Sequence, residues 1–253
     1  MGAARALATE RRRRLVRALS TVLIVAGALV LADAATTLLW QEPVTALQTR
    51  IRQRGLDGDL RRLEARRPTR LEARALAGLD DQRRRIAFLA RSLQRRTAPG
   101  DAIGRLKIGR LGADFVLVKG SAAADLRKGP GTYDGTPLPG VPGTAAIAGH
   151  RTTYAAPFRH LDRLRPDDRI TVQMPYATFT YRVQRTRVVA ADALWILRRT
   201  AADRLVLSAC HPLFSAAERI VVFARLAAVV PLGFARPGQG SEFEPGPLAS
   251  GRS

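Results

Sequence analysis

One cysteine, Cys210, stands in 253 residues. That scarcity excludes an intrachain disulfide framework and any metal site built from several thiolates. Lysine is almost as rare: Lys107, Lys119 and Lys128 are the only ones, so arginine carries nearly all of the basic charge. The net charge of +21 invites a nucleic-acid reading. Yet aromatic residues make up only 6% of the chain, and they are scarce across residues 50–98, where arginine is dense. With no stacking platform or groove-reading motif, the charge suits anionic lipid head groups or cell-wall polymers better than nucleic acid. The hydrophobic fraction of 46% is ample for a packed core, so global disorder is excluded as well.

The one long apolar run lies near the N-terminus. Arg11-Arg12-Arg13-Arg14 and Arg17 precede it, it extends over residues 18–32, and after Asp33 it resumes to Trp40. Together these residues are long enough to cross a bilayer core of about 30 Å. The arginine flank predicts a cytoplasmic N-terminus and export of everything after Trp40. Ala32-Asp33-Ala34 has the form of a signal-peptide cleavage site. The resumption of the apolar stretch beyond it favours an uncleaved anchor, and either reading exports the domain.

Residues 41–98 show helical spacing at Leu60/Leu63, Leu71/Leu79 and Ile86/Leu89/Leu93 between arginines, with a break expected at Pro68. This pattern predicts a solvated helical stalk. From Thr97-Ala98-Pro99-Gly100 onward, short apolar segments alternate with turn residues. Strands are expected over 105–108, 115–118, 144–148, 169–174, 178–189, 204–209 and 219–226, with short helices over 122–127 and 157–163. The spacers 129–143 and 190–203 read as loops, and the Pro-, Gly- and Ser-rich end of the chain as a disordered tail. Many short strands with few helices make the domain mainly β, a barrel or a sandwich.

Three residue types at strand edges carry the chemistry. The run Leu205-Val206-Leu207-Ser208-Ala209 delivers Cys210 at its end. A retained free thiol in an exported domain is either buried packing or a nucleophile. The segment Thr144-Ala145-Ala146-Ile147-Ala148-Gly149 delivers His150, suited to act as general acid and base; Gly149 would let a substrate approach. Of the other histidines, His211 adjoins the cysteine and points to the opposite face, and His160 falls in the expected helix. Arg219 opens the strand after the cysteine, and the turn 212–218 would fold it back beside Cys210. Its guanidinium suits a thiolate or an oxyanion.

The order His150, Cys210, Arg219 resembles the sortase family, most closely its class E-like members from high-GC Gram-positive bacteria. The resemblance covers about residues 99–230. Val206-Leu207-Ser208-Ala209-Cys210 keeps the leucine and cysteine of the family's Thr-Leu-x-Thr-Cys signature without its threonines. Gly149-His150-Arg151-Thr152-Thr153 matches the Gly-His segment, Cys210 through Arg219 is similar to the class E continuation, and Gly104-Arg105-Leu106-Lys107-Ile108 looks like the opening barrel strand.

The resemblance implies a closed eight-stranded β-barrel with short helices; no cofactor and no metal-binding residue is assigned. It implies that Cys210 attacks the Thr–Gly carbonyl of a Leu-Pro-x-Thr-Gly or Leu-Ala-x-Thr-Gly sorting signal on surface proteins. His150 would protonate the departing amine, Arg219 would hold the oxyanion, and a peptidoglycan or pilin amine would resolve the thioacyl enzyme. The expected organisation is a basic cytoplasmic segment over 1–17, a membrane anchor over 18–40, the stalk over 41–98, the catalytic domain over 99–230 and the tail over 231–253. A membrane-anchored cysteine peptidase using water, and a non-catalytic basic envelope-binding module, are the competing readings.

Overall fold

The computed structural model describes residues 2–39 and 43–236; Trp40 and residues 237–253 of the expected tail lie outside these. Two compact units divide at Val44 and Thr45. The first contains α1, Gly2–Leu39. Within it, Arg13–Ala35 is 23 residues of helix long and apolar enough to cross a membrane, since 1.5 Å per residue gives about 34 Å against a core of about 30 Å.

Among the described residues, the second unit holds four further helices, the last of them the short α5 (Ala123–Leu126), and a barrel. Helix α2 (Pro43–Glu64) ends before Pro68. Helix α3 (Arg70–Ala77) starts with a capping box in which Thr69 and Glu72 satisfy each other's backbone N–H groups. Helix α4 (Gln82–Arg96) is capped by Asp81, whose carboxylate accepts from Arg84 N–H. The expected solvated stalk is not what these helices form. Ile86, Ala90 and Leu93 of α4 lie in the same buried cluster as the barrel interior, and Leu56 and Leu60 of α2 pack on Ala102, Val116 and Val118. Their spacing puts the apolar side chains on one stripe per helix, and burying that stripe outweighs the solvation sought by the arginines opposite. Arg85 is itself buried, donating to the carbonyls of Leu76, Leu79 and Phe234.

The eight strands are β1 (Ala102–Ile108), β2 (Ala113–Val118), β3 (Gly131–Thr132), β4 (Thr144–Ala148), β5 (Arg169–Met174), β6 (Ala177–Ala190), β7 (Arg204–His211) and β8 (Glu218–Pro231). They close in the order β1-β2-β3-β4-β7-β8-β6-β5. The expected closed eight-stranded barrel with short helices is therefore present. Strand β3, inside a spacer expected to be a loop, is two residues long and too short to leave a periodic signature. The expected helix at 157–163 shrinks to a 3₁₀ turn at Leu161–Arg163, because Tyr154, Ala155 and Ala156 immediately before it take positive φ. At the C-terminal end, a 3₁₀ turn at Gly233–Ala235 follows β8, and Ala235 is buried, so the expected tail does not begin at residue 231.

Strands β4, β7 and β8 are covered on both faces. Ala145, Ile147, Leu205, Leu207 and Val222 point into the barrel. Ala146, Val206, Val221 and Phe223 point outward beneath Ile196 of the β6–β7 connection. Double burial explains why these strands read as unbroken apolar runs.

Candidate active site

The period of two along a strand assigns the functional side chains to a face. On β7, Cys210 shares parity with Val206 and Ser208, so it emerges on the outer wall of the barrel beneath the β6–β7 connection. Strand β4 runs parallel to β7 with Ala148 opposite Ser208, and Gly149 N–H donates to the Ser208 carbonyl at 3.1 Å. His150, two residues beyond Ala148, is thereby brought level with Cys210. On the other side, β8 pairs antiparallel with β7, and the register places Arg219 directly opposite Cys210. All three side chains line one cavity of about 310 Å³, with Tyr133, Ser208, Leu126, Leu194, Ile196 and Leu197 among its walls.

Cys210 is free and partly exposed, neither sealed in the core nor fully in solvent. His150 is likewise partly buried. Burial, and then the nearby positive charge of Arg127, hold its imidazole below the ordinary histidine range, favouring the neutral ring. Its Nε2 is buried without a protein hydrogen-bond partner, a state suited to a group that exchanges a proton with a bound molecule. Arg219 is tethered by Nη1, which donates to the carbonyls of Ala216 at 2.9 Å and Glu218 at 2.8 Å. The tether fixes the guanidinium at the mouth of the β7–β8 turn.

The other two histidines stand apart from this cavity. His211 faces the opposite way and accepts through Nδ1 from Arg151 Nη1 at 2.7 Å, while Arg151 Nη2 reaches Asp162 at 2.9 Å. The Nδ1 assignment follows from chemistry, since a guanidinium can only donate. His160 sits where the 3₁₀ turn begins, partly exposed. Gly149 lines the cavity and also has no room for a side chain. A Cβ there would lie 2.6 Å from the ring of Phe158, which is fully buried.

Residues that sequence patterns alone did not single out complete the groove. Tyr133 Oη and Ser208 Oγ are 2.7 Å apart, joining the β3–β4 loop to β7 two residues before the thiol. Leu194, Ile196 and Leu197 roof it, supported by Trp195 stacked on Phe223 at 6.0 Å. An apolar cluster in a spacer after a long strand was the available signal for this roof. Among the described residues no group of three or more His, Cys, Asp or Glu side chains is gathered in the manner of a metal site.

By architecture, this is a closed β-barrel with a thiol-bearing groove on its outer wall. Comparison with known proteins gives that architecture its relatives. Residues 106–227 match the Sortase domain. Sortase D of Bacillus subtilis (strain 168) is 30% identical over 130 residues, covering 50% of this chain and 64% of that relative's length. Sortase E from Streptomyces avermitilis superposes with a TM-score of 0.50 at 25% identity, covering 56% of this chain and 99% of the other. Sortase C1 of GBS Pilus Island 1 shares the fold with a TM-score of 0.55 at 23% identity, covering 70% and 93%. Over this segment the barrel is similar in sequence to sortases and shares their fold.

Proposed function

We propose that this protein is a membrane-anchored cysteine transpeptidase with Cys210 as nucleophile, His150 as proton carrier and Arg219 as oxyanion donor. The convergence of these three side chains from β4, β7 and β8 on one cavity is the observation that supports it most directly. Neutral His150 takes the proton of the Cys210 thiol as the sulfur attacks the carbonyl carbon of a Thr–Gly peptide bond, and the guanidinium of Arg219 meets the charge that develops on the oxygen. Collapse of the tetrahedral intermediate breaks the C–N bond, with His150 giving its proton to the departing glycine amine. The thioester that remains is attacked by an acceptor amine, whose proton His150 takes up. A new amide forms and the thiol is regenerated.

The substrate class we assign is a surface protein ending in a Leu-Pro-x-Thr-Gly or Leu-Ala-x-Thr-Gly signal, with a peptidoglycan or pilin amine as acceptor. The apolar roof of the groove offers a surface for the leucine of such a signal. Helix α1 would hold the enzyme in the membrane with the barrel outside the cell.

Incubating the purified protein with a sorting-signal peptide and a diamine, followed by mass spectrometry, tests the reading. The expected products are a Cys210 thioacyl adduct and a peptide cleaved after Thr and joined to the diamine. Cys210→Ala should give neither. Cleavage with water alone, unaffected by added amine, would make the protein a peptidase instead.

A further inference from the structure

The outer wall of this groove is fastened to a helix that lies outside the matched segment 106–227. Three residues of α2 reach the loops that flank His150. Thr45 Oγ1 accepts from Tyr154 N–H at 3.2 Å. Arg52 Nη1 donates to the Arg127 carbonyl at 3.2 Å. Gln53 donates to the Lys128 carbonyl at 2.8 Å and accepts from Val116 N–H at 2.6 Å. Positions 45, 52 and 53 share one helical face with the buried Thr49 and Leu56.

The loops held in this way enclose the imidazole. The ring centroid of Tyr154 is 4.9 Å from that of His150, and the Arg127 guanidinium lies 5.9 Å from the Tyr154 ring centroid. Tyr154, Ala155 and Ala156 have φ of 52°, 60° and 40°, conformations that non-glycine residues keep only when their surroundings impose them. Thr45 supplies one such imposed contact at the first residue of the three.

We propose that α2 is a positioning element of the active site: Thr45, through the Tyr154 main chain, and Arg52, through the Arg127 main chain, place the ring and the guanidinium that fix the His150 imidazole. The kinetic consequence rests on the reading of His150 as proton carrier, whereas the placement of the ring does not. The charged and titratable groups around the imidazole are Tyr154 itself, Arg127 at the end of α5 (Ala123–Leu126) and, lining the same cavity as the imidazole, Tyr133, Cys210 and Arg219.

Two measurements on the full chain in detergent test this. The first is NMR titration of labelled histidine, with the His150 signal assigned by its loss in His150→Gln. Thr45→Val keeps the side-chain shape and removes the hydroxyl. It should move the titration upward, toward the ordinary imidazole value, as the wall loosens and Arg127 withdraws; Thr45→Ser should leave it unchanged. The second is kinetics, in which Thr45→Val and Arg52→Gln should each lower kcat about tenfold with little change in the KM for the sorting peptide.

Leu56→Ala separates positioning from general stability. Leu56 packs α2 on Ala102, Val116 and Val118 and makes no hydrogen bond through its side chain, so its loss should lower Tm while sparing the titration. An unchanged titration in Thr45→Val, or an equal shift in Leu56→Ala, would overturn the proposal. A shifted titration without the fall in kcat would instead leave the placement standing and count against His150 as proton carrier.

Discussion

At the residue scale, Arg219 has to be distinguished from a crowd of other arginines, and the register does this. It pairs with Cys210, whereas Arg225 on the same strand pairs with Arg204 and is exposed. Arg219→Ala should therefore lower kcat about 10²–10³-fold, the range for loss of an oxyanion donor, while Arg225→Ala should leave it near wild type. Arg219→Lys keeps the charge without the planar fork and should restore only part. Steady-state kinetics on the sorting peptide reads all three; equal losses at 219 and 225 would assign the role elsewhere. His150 also makes a stability prediction. Its folded value lies below the ordinary one, so on acidification the unfolded chain takes up its proton first. The stability that depends on neutral His150 is complete above about pH 6.5 and is lost as pH falls toward the folded value. Denaturant midpoints in His150→Gln should consequently decline less with falling pH than those of wild type.

At the scale of elements, α4 is part of the barrel's core, not a spacer. Leu93 is fully buried in the cluster that also contains Leu106, Leu117 and Ile147. Leu93→Ala should cost about 2–5 kcal/mol, as other buried leucine truncations do, measured by chemical denaturation. A cost near zero would restore the independent stalk. Gly149 joins two elements at once, since β4 ends beside it and Phe158 fills the space a side chain would occupy. Gly149→Ala should cost about 1–3 kcal/mol through overpacking and should displace the neighbouring His150, reducing turnover by more than its loss of stability explains. The double covering of β4, β7 and β8 has a functional consequence as well. The outward layer of Ala146, Val206 and Val221 is buried beneath Ile196, and the thiol emerges just where that layer opens.

At the scale of the whole molecule, one exposed apolar helix and a strongly basic surface argue for life at a membrane. Residues 13–35 of α1 are exposed throughout, a state unfavourable in water over such a length. Arginines on the N-terminal flank set the expected orientation. Protease added to intact spheroplasts should digest the barrel and leave the N-terminus in the membrane fraction. A mature N-terminus near Ala35 would mean cleavage of the segment in place of anchoring.

The strands that matter to the site were legible because their signals are local. Leu205 to Ala209 and Thr144 to Ala148 are unbroken apolar runs, and a cysteine or histidine following such a run must sit at a strand end. The identity of thiol, imidazole and guanidinium, and their order along the chain, were likewise open to reading from residue types and spacing. What local pattern does not contain is the partner of each surface. The stripe of Ile86, Ala90 and Leu93 announces that α4 has an apolar face, but the same stripe suits a free-standing helix pair, and only the closed barrel decides what covers it. The roof over the groove, the tie between Tyr133 and Ser208, and the bond from Thr45 to Tyr154 each join residues more than 70 positions apart or lie in loops without periodicity. A non-local contact is fixed by chain closure and packing, whose energies depend on elements far along the chain. Sequence thus determined which groups could react, while tertiary structure decided which of them meet and what holds them in place.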